Sequence, residues 1–243
     1  MTDISKIKHI LFDLDGTLLP MDQDEFVNAY FKELVKKALP LGFEPDVLIS
    51  AMWKGTAAMV GNDGTRMNDT AFWDTFAGIF GDASKETRPV FDEFYANEFN
   101  KASYISKKDS KVTETVEALK AAGYDIVLAT NPFFPMTAQI SRIGWAGLKE
   151  SDFMYISSYE NSSFCKPNPG YYLEICEKLK FDPRECMMVG NDAEEDIAAE
   201  KTGMDVFLIT RNLINKKNID INRYRHGNFD DLLKLFLKER ANG

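Results

Sequence analysis

The sequence predicts an α/β protein: a doubly wound parallel sheet carrying a second, smaller, all-helical domain. Three observations predict it. A short apolar run, Ile10-Leu11-Phe12, passes directly into Asp13-Leu14-Asp15-Gly16-Thr17, so it is too brief for a helix and is bounded by turn residues. From about residue 22 to 105 the apolar residues recur only at helical spacing. Beyond that point short apolar runs alternate with helical patterns, as in βαβ units whose right-handed crossovers cover both faces of a parallel sheet.

The elements follow in order. Residues 8–14 form the first strand. In the helical stretch, Phe26, Tyr30, Phe31, Leu34 and Val35 mark one apolar face, and Val47, Leu48, Ala51 and Met52 a second. Phe72, Phe76 and Phe80 repeat at four-residue spacing, as do Phe91, Tyr95 and Phe99. That spacing predicts the aromatic core of a helical bundle rather than a cofactor-stacking surface. A helix through Val112, Val116 and Leu119 is closed by Gly123. The strand Asp125–Ala129 comes next, then a helix beginning near Pro135. Further strands are expected at 153–156, 187–189 and 206–209, with helices around 169–180 and 192–202. A last amphipathic helix carries Leu232, Leu233, Leu235, Phe236 and Leu237. The expected division is a discontinuous α/β core, 1–20 and 106–243, with a helical domain, 21–105, inserted after the first strand.

Composition narrows the function classes. A chain of 243 residues can bury a substantial core and a second domain, and 44% hydrophobic with 28% charged residues is ordinary for a globular protein. The net charge of −9 argues against nucleic acid as a partner, which basic surfaces bind. It leaves room for a small anion met by a metal ion and one or two lysines. Cys165, Cys176 and Cys186 lack zinc-like spacing and read as free thiols in a reducing compartment. No apolar run reaches the ~20 residues of a membrane helix. The acids interrupting the first strand exclude a signal-peptide core, so the expected location is cytoplasmic. His9 and His226 have no motif partners and read as structural or solvated, which leaves any chemistry to carboxylates.

In an open parallel sheet ligands sit outside the carboxyl ends of the strands, so the polar residues at those ends should converge. They are Asp13 and Asp15, then Thr130-Asn131, then Lys166 in Cys165-Lys166-Pro167-Asn168-Pro169, then Gly190-Asn191-Asp192 with Asp196 four residues on. Each has a plain reading. Thr130-Asn131-Pro132 opens a loop, and Lys166 alone is a solvated lysine. Asn168-Pro169 caps a helix, while Asp192 and Asp196 favour a helix dipole. Two acids at the mouth of a buried strand, however, are costly without a cation and point to a metal site or catalysis. The oxygens of Asp13, Asp15 and Asp192 suit magnesium, and a carboxylate can also act as a nucleophile.

Taken in order from 13 to 196, these residues resemble the four motifs of the haloacid dehalogenase-like (HAD) superfamily, most of whose members hydrolyse phosphate esters. The resemblance implies a magnesium-dependent phosphatase acting on a small phosphorylated metabolite through an aspartyl-phosphate. It implies that Asp13 attacks phosphorus, and that Asp15 protonates the leaving oxygen, activates water and offers its backbone carbonyl to magnesium. Thr130 and the Asn131 N–H would hold phosphate oxygens, Lys166 would screen the charge repulsion, and Asp196 would orient Lys166 or water ligands. One departure stands out. Many family members place aspartate directly after the motif glycine, whereas this chain has Asn191 there. The spacing from Asp192 to Asp196 assigns the metal to Asp192, with Asn191 as the other candidate ligand.

Hydrolytic dehalogenases of the superfamily lack the second aspartate, so Asp15 argues for phosphoryl transfer. The insertion point predicts a helical lid, which excludes water and contacts the substrate. Candidate contacts there are Lys54, Asn62 and Arg66, the last two in the tight loop Gly61–Arg66. Lys54 would be the Schiff-base lysine of a phosphonoacetaldehyde hydrolase-like enzyme, and a sugar-phosphate mutase-like enzyme is a further alternative. Outside enzymes stands a non-catalytic phospho-switch or binding protein, although receiver domains are about half this length and lack a helical insertion.

Overall fold

The computed structural model describes residues 3–240. Six strands form one sheet, all paired in parallel, in the order β3-β2-β1-β4-β5-β6. They are β1 (His9–Phe12), β2 (Asp125–Leu128), β3 (Tyr155–Ile156), β4 (Cys186–Gly190), β5 (Asp205–Ile209) and β6 (Arg225–Gly227). Helices α1 (Gln23–Ala38), α2 (Pro45–Val60), α3 (Asn68–Phe80) and α4 (Ala83–Ala96), with a 3-10 segment Glu98–Ile105, lie between β1 and the next core helix. The core helices are α5 (Ser110–Ala121), α6 (Met136–Trp145), α7 (Pro169–Leu179) and α8 (Phe229–Arg240).

The two-residue alternation of the strands divides the core into two layers. Ile10, Phe12, Ile126, Leu128, Met187 and Val189 point to one face, packed on α5, α6, α8 and the rings of the helical insertion. Leu11, Val127, Ala129, Met188, Val206 and Leu208 point to the other, against Tyr171, Tyr172 and Ile175 of α7. Every residue of β4 and β5 is buried, which accounts for their near-continuous apolar sequences. β1 sits between β2 and β4, so the loops leaving these three strands open side by side.

The structure differs from the sequence expectation in places. Residues 196–202 form a 3-10 helix, not an α-helix over 192–202, because the preceding loop is held by Asp192 and Asp196. β6, which contains His226, was hidden in a polar stretch. His9 opens β1, where its ring stacks on Phe181 and bonds to Asp125. Val47 is exposed, while Leu48, Ala51 and Met52 of its helix are buried. No helix among the described residues is long and apolar enough to cross a membrane.

Candidate active site

The site begins where β1 runs out. The Asp13 N–H donates to the Val189 carbonyl at 2.9 Å, continuing the ladder one residue past the strand. Leu14 then turns into the core, and Asp13 and Asp15 flank it toward the cavity above the sheet. Gly16 takes φ +77°, and a Cβ there would stand 2.3 Å from Asn191 Nδ2, so only glycine lets the two loops approach. Thr17 Oγ1 donates to Asn191 Oδ1 at 2.9 Å, and Asn191 Nδ2 donates to the Asn212 carbonyl at 2.7 Å.

Lys166 is fully buried beneath the carboxylates. Its Nζ donates to Asp13 Oδ1 at 2.9 Å and to Asp196 Oδ1 at 2.7 Å. Asp196 Oδ2 in turn accepts the Asp192 N–H at 2.9 Å. Burial works against the Lys166 charge, but Asp13 and Asp196 outweigh it and hold the ammonium well above its usual pKa. Burial pushes both aspartates above the usual carboxylate range, with Lys166 opposing the shift. Lys166 is thus a fixed cation shared by two acids that could not both remain charged without it.

The end of β2 is pinned from below. The Thr130 carbonyl accepts from Tyr171 Oη and Ser157 Oγ, each at 2.7 Å, and the Thr130 side chain lines the cavity. Asn131 Oδ1 accepts the Lys166 main-chain N–H at 3.2 Å, and Asn131 Nδ2 donates to Glu195 Oε1 at 3.0 Å. Asp192 Oδ1 accepts the N–H groups of Glu194 and Glu195 at 2.7 and 3.0 Å. Burial, aided by Asp196, Asp13 and Asp192 against Lys166, pushes Glu195 up to about 8.

A second buried cation, Arg142 of α6, pairs with Asp15 Oδ2. Its guanidinium also donates to Gln139 Oε1 at 2.9 Å and lies 5.3 Å from the Phe26 ring centroid and 4.9 Å from that of Phe134. The pairing is one-sided, since Asp15 Oδ1 and Arg142 Nε are buried without hydrogen-bond partners.

The structure thus brings Asp13, Asp15, Thr130, Asn131, Asn191 and Asp192 to one cavity of about 340 Å³, with Lys166 and Asp196 behind them. It does not bring the three candidates of the helical insertion there. Lys54 lies along an outer groove with Asp46 and Ile49, on the side of α2 away from Met52. Arg66 is held at the surface by Asp74 at 2.8 Å. Asn62 is buried and closes its own loop, bonding the Arg66 carbonyl at 2.8 Å and Asn68 at 2.9 Å. Arg142, Glu195 and the aromatic wall of the cavity went unread. The one available signal for Arg142 was its place between Ala138 and Ile143 on a buried helix face.

A metal bound here would meet oxygen donors throughout, the carboxylates of Asp13 and Asp192 and the Asp15 carbonyl. Among the described residues no main-chain N–H occupies that carbonyl, and Asp192 Oδ2 has no hydrogen bond. No three acidic, histidine or cysteine side chains among the described residues form a ready ligand cluster. Two carboxylates and a carbonyl fit magnesium, which keeps waters and takes further oxygens from its substrate. Both atoms of the Asn191 amide are engaged elsewhere, which favours Asp192 over Asn191 as the ligand.

Comparison with known proteins identifies the family. The family model for haloacid dehalogenase-like hydrolases matches residues 7–202. The chain is 27% identical over 206 residues to the phosphoglycolate phosphatase of Nitrosospira multiformis, covering 84% of this chain and 83% of that one. It is 29% identical over 206 residues to the phosphoglycolate phosphatase of Pectobacterium atrosepticum, covering 84% and 80%. Among solved structures, a 2-haloacid dehalogenase from Pseudomonas syringae pv. tomato superposes with a TM-score of 0.62 at 21% identity, covering 96% and 99%, which shows the shared fold. The chain therefore belongs to the haloacid dehalogenase-like hydrolases, and its curated relatives lie among that family's phosphatases.

Proposed function

We propose that the protein is a magnesium-dependent phosphatase that hydrolyses a small phosphomonoester through an aspartyl-phosphate on Asp13. The observation that carries this reading is a carboxylate on the cavity floor, oriented by a buried lysine and followed two residues later by a second acid held by an arginine. Lys166 occupies Asp13 Oδ1, which leaves Oδ2, 3.4 Å from Thr17 Oγ1, as the attacking oxygen. In the first step Oδ2 bonds to phosphorus, the ester P–O bond breaks, and Asp15 gives its proton to the departing alkoxide. In the second step Asp15 takes a proton from water as that water attacks phosphorus, releasing phosphate and restoring Asp13. Thr130 and the Asn131 N–H hold the phosphoryl oxygens, and Lys166 keeps two anions from repelling one another. Magnesium, held by Asp13, Asp192 and the Asp15 carbonyl, supplies the further positive charge that phosphoryl transfer needs. The helical block 21–105 serves as the lid.

The relatives named phosphoglycolate phosphatases support the phosphomonoester class. A Schiff-base reading through Lys54 needs that lysine in the cavity wall, and it lies outside it. The test is hydrolysis of 4-nitrophenyl phosphate and a panel of natural phosphomonoesters, with magnesium or with chelator, by the wild type and Asp13→Asn. Magnesium-dependent turnover that disappears in the variant is expected. Silence across the whole panel, with magnesium bound, would overturn the reading in favour of a binding protein.

A further inference from the structure

Resting on that phosphatase reading, we infer that the substrate is the phosphate ester of an uncharged alcohol bearing a flat apolar group, of aromatic-ring size, rather than a second anion. The inference comes from the half of the cavity that the chemistry does not use. Above the carboxylates the wall is supplied by the helical insertion, with Phe26, Tyr30, Met52, Phe72, Trp73 and Tyr95 facing the space. Two polar pairs of this wall are satisfied within it, while the buried Trp73 Nε1 has no hydrogen-bond partner among the described residues. Tyr30 and Tyr95 hydrogen-bond to each other at 2.8 Å, and Thr56 Oγ1 donates to the Met52 carbonyl at 3.0 Å. Burial raises both tyrosines above their usual pKa, so they stay neutral. No charged side chain of the insertion lines the cavity.

The remaining charges reinforce the point. The acidic and basic side chains lining the cavity are those of Asp13, Asp15, Asp192 and Glu195 on the floor and of Lys216, an exposed residue of the core at the rim. A carboxylate on the leaving group would leave water for an upper wall that offers no cation, since Lys166 and Arg142 are already paired with floor acids, which is costly. An apolar ring entering the same space loses only its contact with water and gains ring-on-ring contacts. The same shape that disfavours glycolate therefore selects for a benzyl-like group.

The experiment compares kcat/KM for three esters under magnesium: benzyl phosphate, ethyl phosphate and 2-phosphoglycolate. Benzyl and ethyl phosphate both release an uncharged primary alcohol, so their ratio reports the wall. Benzyl phosphate is expected to exceed ethyl phosphate by about 100-fold, the scale of taking a phenyl ring out of water. 2-Phosphoglycolate is expected to fall at or below ethyl phosphate. In Trp53→Ala, which removes a half-exposed ring from the mouth and threatens the fold little, the benzyl-to-ethyl ratio should drop several-fold. Turnover of 2-phosphoglycolate equal to or above that of benzyl phosphate would overturn this inference while leaving the phosphatase reading intact. Failure to hydrolyse these three esters, 4-nitrophenyl phosphate and the natural panel alike, with magnesium bound, would overturn both.

Discussion

Arg142→Met tests whether the buried arginine holds Asp15 in its working position. The Arg142 side chain is 1% exposed and that of Asp15 23%, so the substitution leaves a largely buried carboxylate without its cation. Removing one partner of a fully buried pair costs about 3–5 kcal/mol. Water reaching Asp15 recovers part of that, and methionine fills the space between Phe26 and Phe134 while forfeiting the cation–π contacts, each about 0.5–2 kcal/mol. The net expectation is a loss of about 2–3 kcal/mol, or a fall in Tm of about 4–12 °C for a chain of this size. The assay is thermal unfolding of the wild type, Arg142→Met, Asp15→Asn and the double variant, with chelator present. Because the two residues touch, their effects should fall short of additivity by about 2 kcal/mol. Turnover adds a second readout. General acid–base catalysis is worth roughly 100- to 10,000-fold, so Asp15→Asn should lose activity on that scale. Arg142→Met should lose part of it through kcat, and nothing further in the Asp15→Asn background. Additive stabilities within ~0.5 kcal/mol, or equal kcat losses from Arg142→Met in both backgrounds, would refute the pairing as a working part of the site.

Other consequences are as direct. Lys166→Met should lower kcat at least ~100-fold, the scale of removing one preorganised charge from a transition state. It should also make stability fall more steeply as pH rises. Burial already pushes the folded-state pKa values of Asp13 and Asp196 up, and without Lys166 the folded protein holds those protons to still higher pH than the unfolded chain does. The variant's deficit should therefore be small near pH 5 and large near pH 8 in metal-free unfolding, and a deficit independent of pH would contradict the argument. Gly190→Ala would set its Cβ 1.9 Å from Asp196 Oδ2, so Asp196 must leave Lys166; activity should fall in a protein that still unfolds cooperatively, and unchanged kcat would show the clash relieved elsewhere. Cys165, Cys176 and Cys186 are all buried, and burial pushes the Cys165 thiol up to about 12. A thiol reagent at pH 8 should label none of them in the native protein within minutes and all three after denaturation; rapid native labelling would show the core to be open.

The chemistry was legible in the sequence because it is local. Each motif loop follows a strand, the strands announce themselves as short apolar runs, and a parallel sheet with β1 between β2 and β4 brings those loop ends together. What escaped depends on which neighbour a residue meets. β6 has neither alternation nor an apolar run, and only its pairing with β5 makes it a strand. Arg142 differs from a surface arginine only by the face of α6 it occupies, and Asp15, 127 residues earlier, is what makes that face tolerable. The aromatic repeats carry the sharpest lesson. Four-residue spacing correctly marks helix faces that bury rings, yet one ring can pack against its neighbours and line a cavity at once. Phe72 stacks against Phe76 at 6.0 Å and also faces the space above Asp13, and Tyr95 packs edge-on against Phe99 at 5.5 Å while lining the same space. Periodicity therefore reports that a face is apolar, not whether protein or substrate completes it. Reading the whole set as bundle core loses the one part of the molecule whose chemistry bears on which alcohol leaves.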